Sequence, residues 1–159
     1  MNLARRRHGF TLIELIISVA ILSLLASGAM GLAELAVRRG KEQDLRVALR
    51  QIREAIDSYK QASDASRIRR AADETGYPRS LDELSDGVPD ARSSTGAKLF
   101  FLRSLPRDPM AAPGLSAAES WGVRSYASEP DRPQSGRDVY DVFSRSTRAG
   151  LNGQPYRNW

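Results

Sequence analysis

One acidic side chain in this sequence lies where a charge is costly. Glu14 follows a basic leader with arginines at positions 5–7, and the 19 residues from Leu15 to Ala33 carry no charge. A helix of that length spans roughly 28 Å, which is enough to cross the hydrocarbon core of a bilayer. A charge inside such a helix costs about 2.5–3.5 kcal/mol on insertion scales. Glu14 is therefore expected to have a partner and a function.

Few of the usual catalytic side chains are present. The sequence has no cysteine, and its one histidine, His8, lies in the basic leader. Cysteine nucleophiles, histidine-based triads and the usual zinc ligand sets are therefore excluded from the part that follows the leader. Carboxylate pairs and Ser–Lys pairs remain possible by composition, but no spacing singles one out. An enzyme is not expected.

The net charge of +5 gives little support to nucleic-acid binding, because the charge is unevenly placed. Residues 1–9 hold three of the 24 Lys and Arg residues and none of the 19 Asp and Glu residues, which leaves 21 basic groups against 19 acidic ones. A balance this close does not make a phosphate-binding surface.

The elements that must position Glu14 begin with a long helix. All eight prolines lie between Pro78 and Pro155. Because proline is the strongest breaker of helix interiors, the sequence predicts one nearly continuous helix from about Phe10 to the region of Ala72, ended by Gly76-Tyr77-Pro78.

An apolar stripe runs along the second half of this helix. Its members are spaced 4, 3, 4 and 3 residues apart on an otherwise charged segment, which is the pattern of one buried helix face. The pattern lasts barely two heptads, so packing against the chain's own domain is preferred over an intermolecular coiled coil. The stripe consists of Leu45, Leu49, Ile52, Ile56 and Tyr59.

Residues 77–159 are rich in Pro, Gly, Ser and Arg, and they predict a small head. Strands are expected around Val123–Ala127 and Val139–Ser144, the latter being rich in β-branched and aromatic residues. A short helix is expected at Ser80–Leu84, with Ser80 as its cap and Glu83 closing a capping box. With so few long apolar runs, the head needs the stripe to complete its core.

Three general explanations compete for the N-terminus. A secretory signal peptide has the basic start and could be cleaved at Ser27-Gly28-Ala29, although its apolar region is usually shorter. A twin-arginine signal fits badly, because two residues separate Arg7 from Phe10. A plain signal anchor accounts for the span and leaves Glu14 unexplained.

A fourth explanation accounts for every residue. Gly9-Phe10-Thr11-Leu12-Ile13-Glu14, between a short basic leader and an apolar helix, resembles the class III signal of type IV prepilins and type II secretion pseudopilins. The resemblance implies that a membrane peptidase cuts after Gly9 and methylates the new N-terminus at Phe10. It also implies that Glu14 pairs with that amine on an adjacent subunit and so sets the register of assembly.

The resemblance implies an α+β, pilin-like lollipop in which a long N-terminal helix is packed on a small C-terminal antiparallel sheet with long loops. The expected parts are a leader (1–9), a transmembrane and assembly half of the helix (10–34), an amphipathic half (35–76) and a periplasmic head (77–159). The basic leader predicts a cytoplasmic N-terminus and a single pass through the bacterial inner membrane.

Landmarks in the head resemble those of major pseudopilins of the general secretion pathway protein G type. A structural subunit of a periplasmic pseudopilus that drives type II secretion is thus implied. Its partners would be copies of itself, other pseudopilins, the prepilin peptidase and methyltransferase, and an inner-membrane assembly platform. Residues Met110–Ser120 look like an insertion in this pattern. The landmarks are Gly76-Tyr77-Pro78, Leu105–Pro109, Trp121-Gly122, Asp141–Ser144 and Asn158-Trp159.

One departure concerns calcium. Related major pseudopilins bind it in the loop after the last strand, but here Arg145–Asn158 contains three arginines and no acid. Because calcium prefers several carboxylate oxygens, no metal or other cofactor is expected. The loop is expected to be held by an Asn152-Gly153 turn, by Tyr156 and Trp159, and by pairing of Arg145 or Arg148 with Asp138 or Asp141.

Two alternative functions remain open. Within the same superfamily, the chain could be a minor type IV pilin or a competence-type pseudopilin, which differ in fibre and cargo. In a different class, it could be a single-span anchored periplasmic binding protein that carries the motif by accident.

Overall fold

The computed structural model describes residues 11–159, except for the side chains of residues 28–30. Its first element is the helix α1, Leu12–Asp64, and the predicted start at Phe10 lies outside the described residues. The chain divides into two compact units, one within residues 1–40 and the other Lys41–Trp159. Each unit therefore has its own packing environment, although α1 runs through both.

The core lies in the second unit. It contains fifteen buried apolar residues, and seven of them lie on α1 between Leu45 and Tyr59. The other eight come from the short helices, strands and loops after α1. The head therefore takes nearly half of its core from the helix: Leu45, Ala48, Leu49, Ile52, Ala55, Ile56 and Tyr59.

Two separate two-stranded antiparallel sheets follow α1, where one small sheet was predicted. The first pairs β1, Val88–Pro89, with β2, Lys98–Leu99. The second pairs β3, Trp121–Arg124, with β4, Asp141–Ser144. The predicted strands overlap β3 and β4, but β3 starts two residues earlier than expected. The predicted α+β class is confirmed.

Two short helices complete the head. The helix α2, Asp82–Asp86, begins after Leu81, which gives no side-chain cap, so the predicted cap at Ser80 is wrong. Glu83 instead accepts a hydrogen bond from the Arg79 backbone N–H at 3.0 Å. The capping box occurs in the helix α3, Ala117–Ser120, where Ser116 and Glu119 bond each other's backbone N–H groups. A 3₁₀ turn, Tyr156–Asn158, follows near the C-terminus.

The end of α1 differs from the prediction by more than a turn. The helix stops at Asp64 rather than near Ala72, and Gly76-Tyr77-Pro78 lies beyond it. Ser66 takes a left-handed backbone conformation with φ 56°. The N–H of Ser66 then donates to Ser63 O, and that of Arg67 donates to Ala62 O, both at 2.9 Å. This is a Schellman ending with serine in the place that glycine usually takes, so the usual glycine signal for the end of a helix is absent here.

Candidate functional site

The N-terminal motif is described only from Thr11 onward. The predicted cleavage and methylation residues, Gly9 and Phe10, lie outside the described residues. Glu14 lies in the first turn of α1 with its side chain exposed in the single chain. Its N–H donates to Thr11 Oγ1 at 3.3 Å, so Thr11 caps the helix. Because helix N-termini favour negative charge, this position already offsets part of the cost of Glu14.

The first half of α1 presents apolar side chains that are largely uncovered within the described part of the chain. Its large apolar residues from Leu12 to Leu25 are all exposed, with Leu12 and Leu24 at 77% and 75%, and Leu32 and Val37 are exposed as well, whereas Leu35 is half-buried. By length and composition, this is the one helix among the described residues that could cross a membrane. Such a surface needs lipid or other chains to cover it.

The predicted helix–head stripe has a different environment. Leu45, Leu49, Ile52, Ile56 and Tyr59 are all buried and belong to the core cluster. The phenol of Tyr59 donates to Glu83 Oε2 at 3.0 Å. Burial, together with the charge of Glu83, raises the pKa of Tyr59 well above its usual range. The tyrosine thus ties α1 to α2 as a neutral donor.

The sequence landmarks converge around β3 and β4. Trp121 is fully buried, and its indole N–H donates to Pro106 O at 2.8 Å. Gly122 lies opposite Phe143, and a Cβ at Gly122 would overlap the Phe143 ring, so the close approach requires glycine. Upstream, Val139 N–H donates to Pro78 O at 2.8 Å. These contacts join segments that are far apart in the sequence.

Asp108 connects the Leu105–Pro109 landmark to β4. Its carboxylate is fully buried and accepts the Ser144 hydroxyl at 2.6 Å and the Met110 N–H at 2.7 Å. The N–H of Asp108 donates to Ser120 Oγ at 3.0 Å. Ser120 ends α3, so the segment that resembles an insertion is tied into the same polar network.

The most informative residue that the sequence reasoning missed is Glu42. It lies three residues before Leu45, so the 3 and 4 spacing of the stripe already placed it on the same helix face. Its side chain is buried, and Oε1 accepts hydrogen bonds from the Tyr156 hydroxyl and the Leu151 N–H, both at 2.8 Å. The carboxylate thus ties the loop Arg145–Asn158 to α1.

Two arginines on α1 hold the last residue. Arg53 donates to the main-chain oxygen of Trp159 at 2.8 Å and to Asp141 Oδ1 at 2.9 Å. The guanidinium of Arg46 lies 4.4 Å from the centroid of the Trp159 ring, and Tyr156 packs edge-on against the same ring at 5.1 Å. Together with Glu42, these side chains hold the loop from one helix.

The expected loop contacts are partly different from those observed. Asn152-Gly153 does form a tight turn, in which Gly153 has φ 79° and donates to Gly150 O at 3.0 Å. The predicted ion pairs between Arg145 or Arg148 and Asp138 or Asp141 are wrong, because neither aspartate pairs with an arginine of the loop. Asp141 pairs instead with Arg53 on α1 and with Arg124, which lies opposite it in the β3–β4 register, whereas Arg145 follows the other end of β4.

Asp138 is held by neutral donors. Its carboxylate accepts hydrogen bonds from the Thr75 hydroxyl, from the Ser125 hydroxyl at 2.7 Å and from the Tyr126 N–H at 2.9 Å. Burial favours the neutral acid, but the three hydrogen bonds outweigh it and hold the pKa of Asp138 below its ordinary value. The ionised group therefore joins the turn after α1 to the segment between β3 and β4.

The N-terminal region matches one family model. Residues 4–30 match the family described as the prokaryotic N-terminal methylation motif. This is the class III prepilin signal, and the match supports a place for the chain in the type IV pilin-like superfamily. The match covers the leader and most of the apolar part of α1 but none of the head. Neither the curated proteins nor the solved structures gave a match to the chain.

The signal and the apolar helix are typical of one class of protein. A pilin-type signal indicates a structural subunit rather than an enzyme, processed by a prepilin peptidase and assembled with other pilin subunits. The same signal followed by a long apolar helix fits anchoring in the inner membrane.

Replacing Glu42 tests how the C-terminal loop is held. We expect Glu42→Ala to lower the free energy of unfolding by about 1–3 kcal/mol, because the buried Tyr156 hydroxyl loses its acceptor. Chemical denaturation of the full chain in detergent, followed by near-UV circular dichroism, measures the change. The matched control is Glu54→Ala on the exposed face of α1, which should change stability by less than about 0.5 kcal/mol. Equal effects of the two changes would show that Glu42 is not a specific anchor.

Asp138 predicts a pH dependence of stability. Its pKa is lower in the folded state than in the unfolded chain, so its contribution is present above about pH 4 and is lost as pH falls through the folded-state pKa. Asp138→Asn should therefore destabilise the protein at pH 7 by about 1–3 kcal/mol and flatten its loss of stability below about pH 4. Melting temperatures of both proteins between pH 7 and pH 2.5 give the comparison. Parallel curves over that range would contradict the assignment.

Proposed function

We propose that this chain is a structural subunit of a periplasmic pseudopilus that drives protein export through a type II secretion system. The observation that carries the proposal is the prepilin signal running directly into a helix whose large apolar side chains are all exposed from Leu12 to Leu25. A fibre of such subunits could bury these helices against one another once they leave the bilayer. The work of assembly would come from an ATPase elsewhere, so this chain needs no catalytic residue.

The proposed topology follows from the distribution of charge. Arginines at positions 5–7 precede the apolar span, and basic residues on the N-terminal side favour a cytoplasmic N-terminus. The head would then lie in the periplasm, where the fibre forms. Its partners there are other copies of this chain and related pseudopilins, delivered by the inner-membrane assembly platform.

The general secretion pathway protein G type is proposed from the head. The Leu105–Pro109, Trp121-Gly122 and Asp141–Ser144 landmarks contact one another through side chains that only these residue types provide, such as the Trp121 indole and the Asp108 carboxylate. Because these motifs occur in the same order and contact one another in the fold, together they support the general secretion pathway protein G type more strongly than each short motif alone.

A second candidate function rests on the loop Arg145–Asn158. Its lack of acids departs from the pattern of the major subunit and favours a minor type IV pilin or a competence-type pseudopilin. Deletion of the gene separates the two, since loss of enzyme export indicates a pseudopilin of type II secretion. Loss of DNA uptake or of surface fibres, with export intact, indicates the second candidate.

The mature N-terminus tests the class directly. We expect mass spectrometry to find N-methylated Phe10, and Gly9→Leu to leave the full-length 17.5 kDa protein in the inner membrane. The peptidase must bring its carboxylates close to the backbone of residue 9, which a bulky side chain prevents. The matched control is Ala29→Leu, which blocks the alternative signal-peptide site and should leave processing intact. Maturation of Gly9→Leu, or a mature protein that begins at Met1 or Met30, would contradict the class.

Glu14 tests the register hypothesis. Glu14→Val should still insert and be cleaved, because the membrane helix loses a costly charge, but it should assemble poorly, because the Phe10 amine loses its partner. Fibre yield and exported protein are measured against Glu34→Val, which removes the acid at the other end of the apolar stretch. Fibres and export at parental levels with Glu14→Val would rule out this function of the carboxylate.

We also propose that the head folds without calcium. The three arginines of Arg145–Asn158 repel a divalent cation, and Glu42, Arg46 and Arg53 already hold this loop. The melting temperature of the full chain should therefore be the same, within about 2 °C, in calcium and in chelator, whereas loss of a structural metal typically shifts it further. A melting temperature several degrees higher in calcium than in chelator would contradict the proposal and show that other residues of the head ligate the ion.

A further inference from the structure

The loop Arg145–Asn158 presents an apolar side chain at its tip. Leu151 is 40% exposed and does not belong to the core cluster. It precedes the tight turn at Asn152-Gly153. The N–H of Leu151 donates to the buried carboxylate of Glu42, so the tip is held against α1 while its apolar side chain stays in contact with solvent.

Exposed arginines flank this tip. Arg148 precedes it and Arg157 follows it, and neither forms an ion pair within the described part of the chain. The backbone brings the two positions together, because the N–H of Tyr156 donates to Arg148 O at 3.1 Å. A third exposed arginine, Arg46, lies on α1 one turn after Glu42. The tip therefore combines one exposed leucine with three cationic side chains.

The acids near the tip do not cancel this charge. Glu42 is buried and already accepts hydrogen bonds from the loop. Asp44 follows it by two residues and so lies about 160° away around the helix. The next acids of α1, Glu54 and Asp57, begin 12 residues after Glu42, which is about 18 Å further along the axis. The exposed charge around the tip is thus positive.

The sequence tethers the tip to the apolar part of α1. Val37 is the last large exposed apolar residue before Glu42, and the two positions are five residues apart. Five residues of chain reach at most about 18 Å, even when fully extended. A bilayer that holds the apolar helix therefore keeps Glu42, and the loop bonded to it, near the lipid headgroups. This limit follows from the length of the chain alone.

We propose that the tip of the loop Arg145–Asn158 binds the surface of an anionic lipid bilayer. Leu151 inserts between the headgroups, while Arg148 and Arg157 contact lipid phosphates. A leucine between arginines matches a surface in which an apolar layer underlies a charged one, whereas a free anion or a nucleic acid offers nothing to the leucine. The contact stabilises the membrane-bound subunit relative to a subunit that has left the bilayer. It rests on the anchoring of the apolar helix and not on fibre formation.

Nanodiscs of two lipid compositions test the partner. The full chain is placed in phosphatidylcholine alone or in phosphatidylcholine mixed with phosphatidylglycerol, each with a trace of lipid that carries a spin label on its headgroup. Paramagnetic broadening of the Leu151 methyl signals measures the ratio of docked to undocked tip. Each arginine at an anionic surface multiplies this ratio by about fivefold, so we expect it to rise about fivefold or more in the anionic discs. High salt should reduce the difference by screening.

Variants test the assigned side chains. Changing both Arg148→Gln and Arg157→Gln should return the ratio in anionic discs to about its value in phosphatidylcholine. Leu151→Ser should lower the ratio in both compositions, because the apolar contact is lost. The matched control is Arg145→Gln in the same loop, where the arginine has the Glu119 carboxylate as an electrostatic neighbour and the ratio should stay within about twofold. Melting temperatures establish that each variant is folded.

Several outcomes would overturn the proposal. Equal ratios in the two compositions, or a folded double variant that docks as the parent does, would exclude binding through these arginines. An equal loss with Arg145→Gln would show a general effect of charge. Inorganic phosphate that shifts the Leu151 signals in neutral discs as much as anionic lipid does would indicate a simple anion site, and tighter binding of a short DNA duplex would assign the surface to nucleic acid. Fibre formation is not measured, so the result is independent of the function proposed in secretion.

Discussion

The head depends on the burial of one face of one helix. Seven of its fifteen core residues lie on α1 between Leu45 and Tyr59, and the short strands and loops after the helix supply the rest. Two-stranded sheets of two to four residues have little stability by themselves. Each must therefore pack against the helix, and the helix in turn must present the same face to all of them.

Polar contacts determine the rotation of α1 about its axis, and hence which face packs against the rest of the head. Glu42 and Arg53 lie on the same side of the apolar stripe, about three helical turns apart, one bonded to Tyr156 and Leu151, the other to Asp141 and Trp159. Turning α1 by one residue would move its charged side chains by about 100°. Both sets of hydrogen bonds would then break and leave buried polar groups unpaired. Apolar burial supplies the driving force, and these two side chains define one rotation of the helix.

The features that the sequence could predict are those with local periodicity. The stripe and the long apolar helix follow from spacing, and β4 follows from its β-branched and aromatic residues. The end of α1 could not be predicted, because Ser66 adopts a conformation that normally signals glycine. The partners of Asp141 could not be predicted either, since Arg53 is 88 residues away and only the fold brings the two together. The capping box at Ser116 and Glu119 was readable, but its segment resembled an insertion.

The two halves of α1 differ in how apolar side chains are distributed around one continuous helix. Up to Leu25 the large apolar side chains are exposed, whereas from Leu45 onward they form a narrow stripe between charged residues. The first pattern has no preferred rotation, because it is apolar on all sides, so it can be covered equally by lipid or by neighbouring helices. The second pattern has one preferred rotation, because only one side can be buried. The subunit proposed above, which would leave a bilayer and join a fibre, needs the first property in its anchor. It needs the second in its head, because the head must keep one structure while the surroundings of the anchor change.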